Sequence, residues 1–120
     1  MAHDVTVYGL GNCDTCRAAR KWLDGRGIAY RFHDFAAEGI DAATVDGWLG
    51  EHGAETLINR RSRTWREIPE ERRDISDPAA AAALVLANPK LVKRPVIVSG
   101  ERSWVGFGDD VREAVEGRRA

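Results

Sequence analysis

The sequence predicts an α/β protein: one domain on a mixed four-stranded sheet, with a helical subdomain inserted mid-chain. Three observations lead there. A strand-like run, Val5-Thr6-Val7-Tyr8, is followed by a helical pattern and a second alternating run, within the roughly 30 residues that a β-α-β unit requires. Residues 41–88 then carry helical spacing and little strand character. Strand-like segments return at Val96-Ile97-Val98 and Trp104-Val105, joined by the turn-forming Ser99-Gly100-Glu101-Arg102, which is a hairpin signal.

Each element has a local reason. Val5–Tyr8 is β-branched and aromatic, and Gly9 and Gly11 end it. Asn12 is the expected N-cap of a helix beginning near Cys13. Ala19, Trp22 and Leu23 fall at helical spacing, and Gly25 and Gly27 stop that helix. Ile28, Tyr30 and Phe32 alternate with Ala29 and Arg31 and read as the second strand. Asp41 is expected to cap a helix with Val45, Trp48 and Leu49 inward, and a further turn covers Ala54–Ile58. Asp77-Pro78 pairs an N-cap with proline at the first helical position. It launches the alanine-rich helix Ala79–Ala87, which Asn88-Pro89 terminates. Asp109 or Asp110 is the expected cap of a last helix holding Val111, Ala114 and Val115. The insert is short and poor in large apolar residues, so it is expected to pack on a sheet core made from about 1–40 and 90–120 rather than stand alone. The order β-α-β, helical insert, β-β-α is that of the thioredoxin-like, or glutaredoxin-like, fold.

The bulk numbers exclude several classes. A length of 120 residues supports one real core, and 43% hydrophobic with 31% charged residues is the balance of a soluble globular protein. A formal net charge of -1 argues against a nucleic-acid binder. No apolar stretch reaches membrane-spanning length, and Met1-Ala2-His3-Asp4 has neither a basic nor an apolar leader region. A cytoplasmic monomer is expected. In that compartment a structural disulfide tends to be reduced, which favours a transient, catalytic or metal-binding role for paired cysteines.

The chain has two cysteines, and they stand together as Cys13-Asp14-Thr15-Cys16 between the first strand and the first helix. A CxxC at such a junction points to redox chemistry. Cys13 would sit in the first turn, where free backbone N–H groups and the helix dipole favour a thiolate. Arg17, one turn on, would add positive charge. Cys16 would lie on the same face, in reach for a disulfide once Cys13 has reacted. Two plainer accounts stay open. Cys16 can be a small buried residue in a mechanism that needs Cys13 alone. The pair can also be half of a zinc site completed by His3, His33 or His52, although none of these has paired ligand spacing.

Two further features invite a role. Pro95 stands at the start of a strand, where a trans proline is the ordinary case, with Arg94 before it as a solvated arginine near Lys90 and Lys93. Arg60, Arg61, Arg63 and Arg66 surround Trp65. Arg63 and Arg66 read as an exposed basic face; Arg60 or Arg61 would have to turn toward the thiol to bind an anion there.

Four ordered stretches resemble the ArsC-like family: Val7-Tyr8-Gly9 with Asn12-Cys13-Asp14-Thr15-Cys16-Arg17-Ala18-Ala19-Arg20; Tyr30-Arg31-Phe32-His33-Asp34-Phe35; Leu57-Ile58-Asn59-Arg60-Arg61 with Thr64-Trp65-Arg66; and Val92-Lys93-Arg94-Pro95. The likeness is nearest to its arsenate-reductase-like, YffB-type branch, with the Spx regulators as relatives. It implies a thioredoxin-like fold with an inserted helical subdomain, Cys13 as the reactive cysteine and Pro95 as a cis-proline. It also implies Arg94 and Arg61 as anion-binding residues. The glutathione-coupled reductases of this family form a thiol–arsenate adduct held by several arginines, with no bound metal or organic cofactor. The implied function is therefore a thiol-dependent reductase with glutathione as co-substrate and glutathione or glutaredoxin as partner. A small oxyanion or a disulfide would be its substrate. The alternative that the resemblance also implies is an Spx-like regulator binding RNA polymerase through a Cys13–Cys16 switch. The chain departs from the arsenate-reductase pattern at Asn59, at Val105-Gly106-Phe107 and at Gly9, where that pattern has arginine, arginine and histidine. Cys16 is a further departure.

Overall fold

In the computed structural model, which describes residues 5–119, four strands form a single sheet in the order β2-β1-β3-β4. β1 (Val5–Gly9) runs parallel to β2 (Tyr30–Asp34) and antiparallel to β3 (Val96–Ser99), and β3 runs antiparallel to β4 (Arg102–Val105). The sheet is mixed and the fold is thioredoxin-like, as the element order predicts. Chain contacts divide the molecule into two compact units, one made of residues up to Glu38 and from Arg94 onward, the other of Gly39–Lys93.

The first unit holds the sheet, α1 (Asp14–Gly25), the single turn α2 (Phe35–Glu38) and α7 (Asp109–Arg119). In β1, burial alternates: Val5, Val7 and Gly9 are buried, while Thr6 and Tyr8 are half-buried. One face of the sheet packs Val5, Val7 and Ile97 against Leu23 and Ile28 and against Val111 and Val115 of α7, with Trp22, Tyr30, Phe32, Trp104 and Phe107 around them. α1 ends in a Schellman motif: Ile28 N–H donates to Leu23 O at 3.0 Å and Gly27 N–H to Asp24 O at 3.1 Å. Gly27 occupies the position that needs positive φ, at 69°. This corrects the expected second strand. Ile28 serves the helix end, and β2 begins at Tyr30 and runs to Asp34.

α7 starts differently from the expectation as well. Gly108 O accepts the first bonds, from Val111 and Arg112 N–H at 3.1 Å each, so Asp109 and Asp110 lie inside the first turn and neither is the cap. There they still oppose the helix dipole favourably.

The second unit is helical: α3 (Ala42–His52), α4 (Ala54–Leu57), α5 (Arg63–Glu67) and α6 (Pro78–Ala87), with 3-10 turns at Glu70–Arg72 and Pro89–Leu91. Asp41 caps α3 through Thr44 N–H at 2.8 Å, and Asp77 caps α6, whose first residue is Pro78. Val45 and Trp48 are buried as expected, whereas Leu49 is only half-buried. An isolated antiparallel bridge joins Ile58 to Val92 inside this unit. Among the described residues no helix is long and apolar enough to cross a membrane.

Leu23 is fully buried at the centre of the first unit's core. Leu23→Ala is expected to cost about 3 kcal/mol, read as a lower denaturation midpoint. Asp41→Ala, which removes only a cap, is expected to cost about 1 kcal/mol.

Candidate active site

The first strand delivers the chain to the site through Gly9-Leu10-Gly11-Asn12, and α1 then carries it away. The N-cap of α1 is Cys13 and not the expected Asn12: its backbone is extended, with φ -93° and ψ 122°, and its sulfur accepts from Cys16 N–H at 3.4 Å. Asn12 is exposed on the loop before it. Sulfur is a poor cap as a thiol and a much better one as a thiolate, because the donors around it then face a full negative charge.

The electrostatics separate the two thiols. At Cys13, partial burial alone would raise the thiol pKa. The hydrogen bonds from the Cys16 side chain and backbone outweigh it, helped by the hydrogen bond and charge of Arg94, and the net shift is downward. At Cys16, burial pushes the thiol up to about 12; the Leu10 backbone N–H pulls the other way, while the neighbouring Cys13 sulfur adds to the rise. Cys16 has no exposed surface, and both cysteines are free thiols. The two thiols are therefore unequal: Cys13 is shifted toward the thiolate, and Cys16 is shifted toward the thiol.

The third member is Arg94. Its guanidinium hydrogen-bonds Cys13, and the peptide that follows it, Arg94–Pro95, is cis. Pro95 is fully buried, and its carbonyl accepts from Gly106 N–H at 2.8 Å, which ties the approach to β3 to the end of β4. The cis bond was legible only through the family resemblance, since a strand-start proline by itself reads as trans.

Arg17 takes another place. It is exposed and pairs with Asp14 in the same helical turn, so it is Arg94 that reaches the thiolate. Arg60 and Arg61 lie in the second unit, exposed on the turn before α5. Asn59 builds that turn: its Oδ1 accepts from Arg61 N–H at 3.0 Å, and its carbonyl accepts from Ser62 N–H at 3.2 Å and Ser62 Oγ at 2.8 Å. Phe107, where an arginine was expected by family likeness, packs edge-on to Trp22 at 5.7 Å instead.

One positioning residue was missed in the sequence. Asp34 closes β2 and accepts from Gly11 N–H at 3.0 Å with one oxygen and from Ala36 N–H at 2.7 Å with the other. It clamps the cysteine loop to the neighbouring strand end. The Ala36 bond is the main reason its carboxyl stays below the usual range; partial desolvation opposes that, and the Gly11 bond, the Ala37 N–H and the His33 charge add to the lowering. The available signal was an aspartate ending the strand paired with β1, beside a glycine-rich loop whose N–H groups need acceptors.

The histidines have other occupations. His33 sits 4.7 Å from the Tyr8 ring and 3.8 Å from Glu38, and His52 lies 3.7 Å from Glu51. His3 lies outside the described residues. Among the described residues no group of three or more His, Cys, Asp or Glu side chains is gathered to hold a metal ion.

Comparisons with known proteins show the family and the fold. Residues 8–115 match the ArsC family. A solved YFFB protein superposes with a TM-score of 0.87 at 43% identity, covering 92% of this chain and 96% of its own. An arsenate reductase (ArsC) related protein from Brucella melitensis superposes with a TM-score of 0.75 at 46% identity, covering 95% and 93%. The global transcriptional regulator Spx of Listeria innocua is 30% identical, over 88% of this chain and 82% of its own. The chain belongs to the ArsC family.

The two thiols are expected to titrate far apart. The fold favours the Cys13 thiolate, so that contribution to stability is present above the unfolded thiol pKa of about 8.5 and is lost as pH falls through the lower folded value. The fold favours the Cys16 thiol, so its contribution is present below the unfolded value and is lost as pH rises toward about 12. Alkylation followed by peptide mapping should modify Cys13 alone across neutral pH. In Arg94→Ala the Cys13 reaction at neutral pH should slow about tenfold, one pKa unit. Modification of both cysteines at equal rates would contradict the assignment.

Proposed function

We propose that this ArsC-family chain is a thiol-dependent, arsenate-reductase-like oxidoreductase in which Cys13 is the nucleophile and glutathione returns it to the thiolate. The observation that carries the reading is the unequal pair: a half-exposed Cys13 shifted toward the thiolate with Arg94 upon it, over a buried Cys16 held as a thiol. A low-pKa, accessible thiolate at a helix start is what nucleophilic sulfur chemistry requires.

With a mixed disulfide of glutathione, the Cys13 thiolate attacks the glutathione sulfur, a Cys13–glutathione S–S bond forms as the original S–S bond breaks, and the other thiol leaves as a thiolate. A glutathione thiolate then attacks the Cys13 disulfide, releasing glutathione disulfide and restoring Cys13. With an oxyanion such as arsenate, Cys13 displaces one oxygen, which leaves as water with protons from solvent. The thiols of Cys13 and glutathione then give up two electrons as they join in a disulfide, and the oxyanion takes both. In either case Arg94 stabilises the thiolate and the anion that replaces it. Arg61, with Arg60 beside it, enters as a second anion-binding group on family likeness. Glutathione is favoured as the resolving thiol because Cys16 is buried and protonated. The cytoplasm, where glutathione is reduced, is the compartment this chemistry needs.

An Spx-like regulatory role is the second reading, favoured by the 30% identity to the Listeria innocua regulator and by the two thiols sharing one turn. There, oxidation to a Cys13–Cys16 disulfide would switch binding to RNA polymerase.

Turnover is measured with glutathione, a glutathione mixed disulfide and, separately, arsenate. Cys13→Ser is expected to reduce turnover to background, while Cys16→Ser keeps it within about tenfold. Turnover that survives Cys13→Ser sinks the enzymatic reading. Redox-dependent retention of purified RNA polymerase, without turnover, establishes the regulatory one.

A further inference from the structure

Gly9 closes β1 directly beneath the cysteine loop, and its conformation is ordinary extended strand, paired with Asp34 of β2. Nothing in its backbone requires glycine. The reason lies in space: a Cβ built on Gly9 falls inside the van der Waals sphere of Cys16 Sγ, with Cys16 Cβ at 3.4 Å and Phe32 Cε1 at 3.9 Å. The sulfur of Cys16 fills the volume that every other residue type would occupy with its own first carbon.

That seat fixes what Cys16 can do. From it, the sulfur receives the Leu10 backbone N–H on one side and addresses the Cys13 sulfur on the other. The Cys13 sulfur accepts the Cys16 N–H at 3.4 Å, and the Cys16 side chain acts in the same direction, lowering the Cys13 pKa.

We propose that Gly9 is a positioning residue for Cys13: by leaving its Cβ volume to the Cys16 sulfur, it holds that thiol where it donates its hydrogen to the Cys13 sulfur. Cys16 accordingly acts in the resting protein as a fixed hydrogen-bond donor, whether or not it ever forms a disulfide. The proposal rests on Cys13 being the reactive sulfur, and it is independent of which substrate that sulfur attacks.

A double-mutant cycle tests it, read as the rate of Cys13 alkylation by iodoacetamide against pH, a readout that needs no turnover and so stands apart from the reductase reading. Gly9→Ala is expected to move the Cys13 profile to higher pH and slow alkylation at neutral pH about tenfold, the size of one hydrogen bond to a charged acceptor. Cys16→Ala is expected to do the same, since the donor is gone. Gly9→Ala added to Cys16→Ala should change the profile no further, because the clashing sulfur has been removed, and this double variant also keeps the test valid if Gly9→Ala alone folds poorly. Cys16→Ser, which keeps an O–H donor, should lie near the unsubstituted protein. The proposal is overturned if Gly9→Ala shifts the profile equally with and without the Cys16 sulfur, or if Cys16→Ser and Cys16→Ala behave alike.

Discussion

The sulfur of Cys13 is both the first acceptor of α1 and, in the proposed function, the reactive atom of the site. The two roles are coupled. As a thiolate it completes the helix start, taking the Cys16 N–H that would otherwise be an orphan donor at the helix end. As a thiol or as part of a covalent adduct, it is a weaker acceptor. The bond from the Cys16 N–H, one of those that lower the Cys13 pKa, also secures the first turn of α1, so a change of charge at the sulfur bears on that turn. No separate cap stands behind it: Asn12 is exposed, and Asp14 is occupied with Arg17.

Everything around this sulfur serves to keep it in place without enclosing it. The loop from Gly9 to Asn12 is held from the side by Asp34 and closed on itself by Cys13 N–H to Leu10 O at 3.2 Å. The far side of the site is held by the Pro95–Gly106 bond, next to Arg94, whose hydrogen bond and charge act on Cys13. These restraints are mostly backbone hydrogen bonds, whose positions are insensitive to side-chain chemistry. The side chains of Cys16, Asp34 and Arg94 add to them.

What could be read in the sequence follows from that division. The strands, α3, α6 and the cysteine junction carry periodicity or capping chemistry within a few residues, so local pattern found them. The two thiols, Arg94 and Pro95 came from residue type and family likeness together. The misreadings share a different cause: each needed knowledge of a three-dimensional competitor. Asn12 is a better cap by propensity, but Cys13 sits one residue closer to the N–H that needs an acceptor. Ile28 alternates correctly with Tyr30 and Phe32, yet the Schellman closure claims it before β2 begins. Arg17 has the right spacing to assist Cys13, but Asp14 is nearer and opposite in charge. Asp34 has its partner, Gly11, 23 residues away, so its signal appears only once β2 is placed beside β1.

The same structural accounting bears on the anion the site is built for. A tetrahedral oxyanion wants several convergent cations, and each departure from the arsenate-reductase pattern has a structural occupation here. Asn59 spends its side chain on building a turn, Phe107 fills the aromatic layer over Trp22, and Gly9 makes room for a second sulfur. In the sheet unit, Arg94 is the cation seen to act on the thiolate. A mixed disulfide asks for less: one activated sulfur, one positive charge to hold the thiolate, and an open approach. Its leaving group needs no oxygen removed and no pocket for three equatorial charges. Under the proposed function, a shifted Cys13 thiol with the Arg94 charge on it meets the needs of disulfide exchange with fewer cations than an oxyanion would call on.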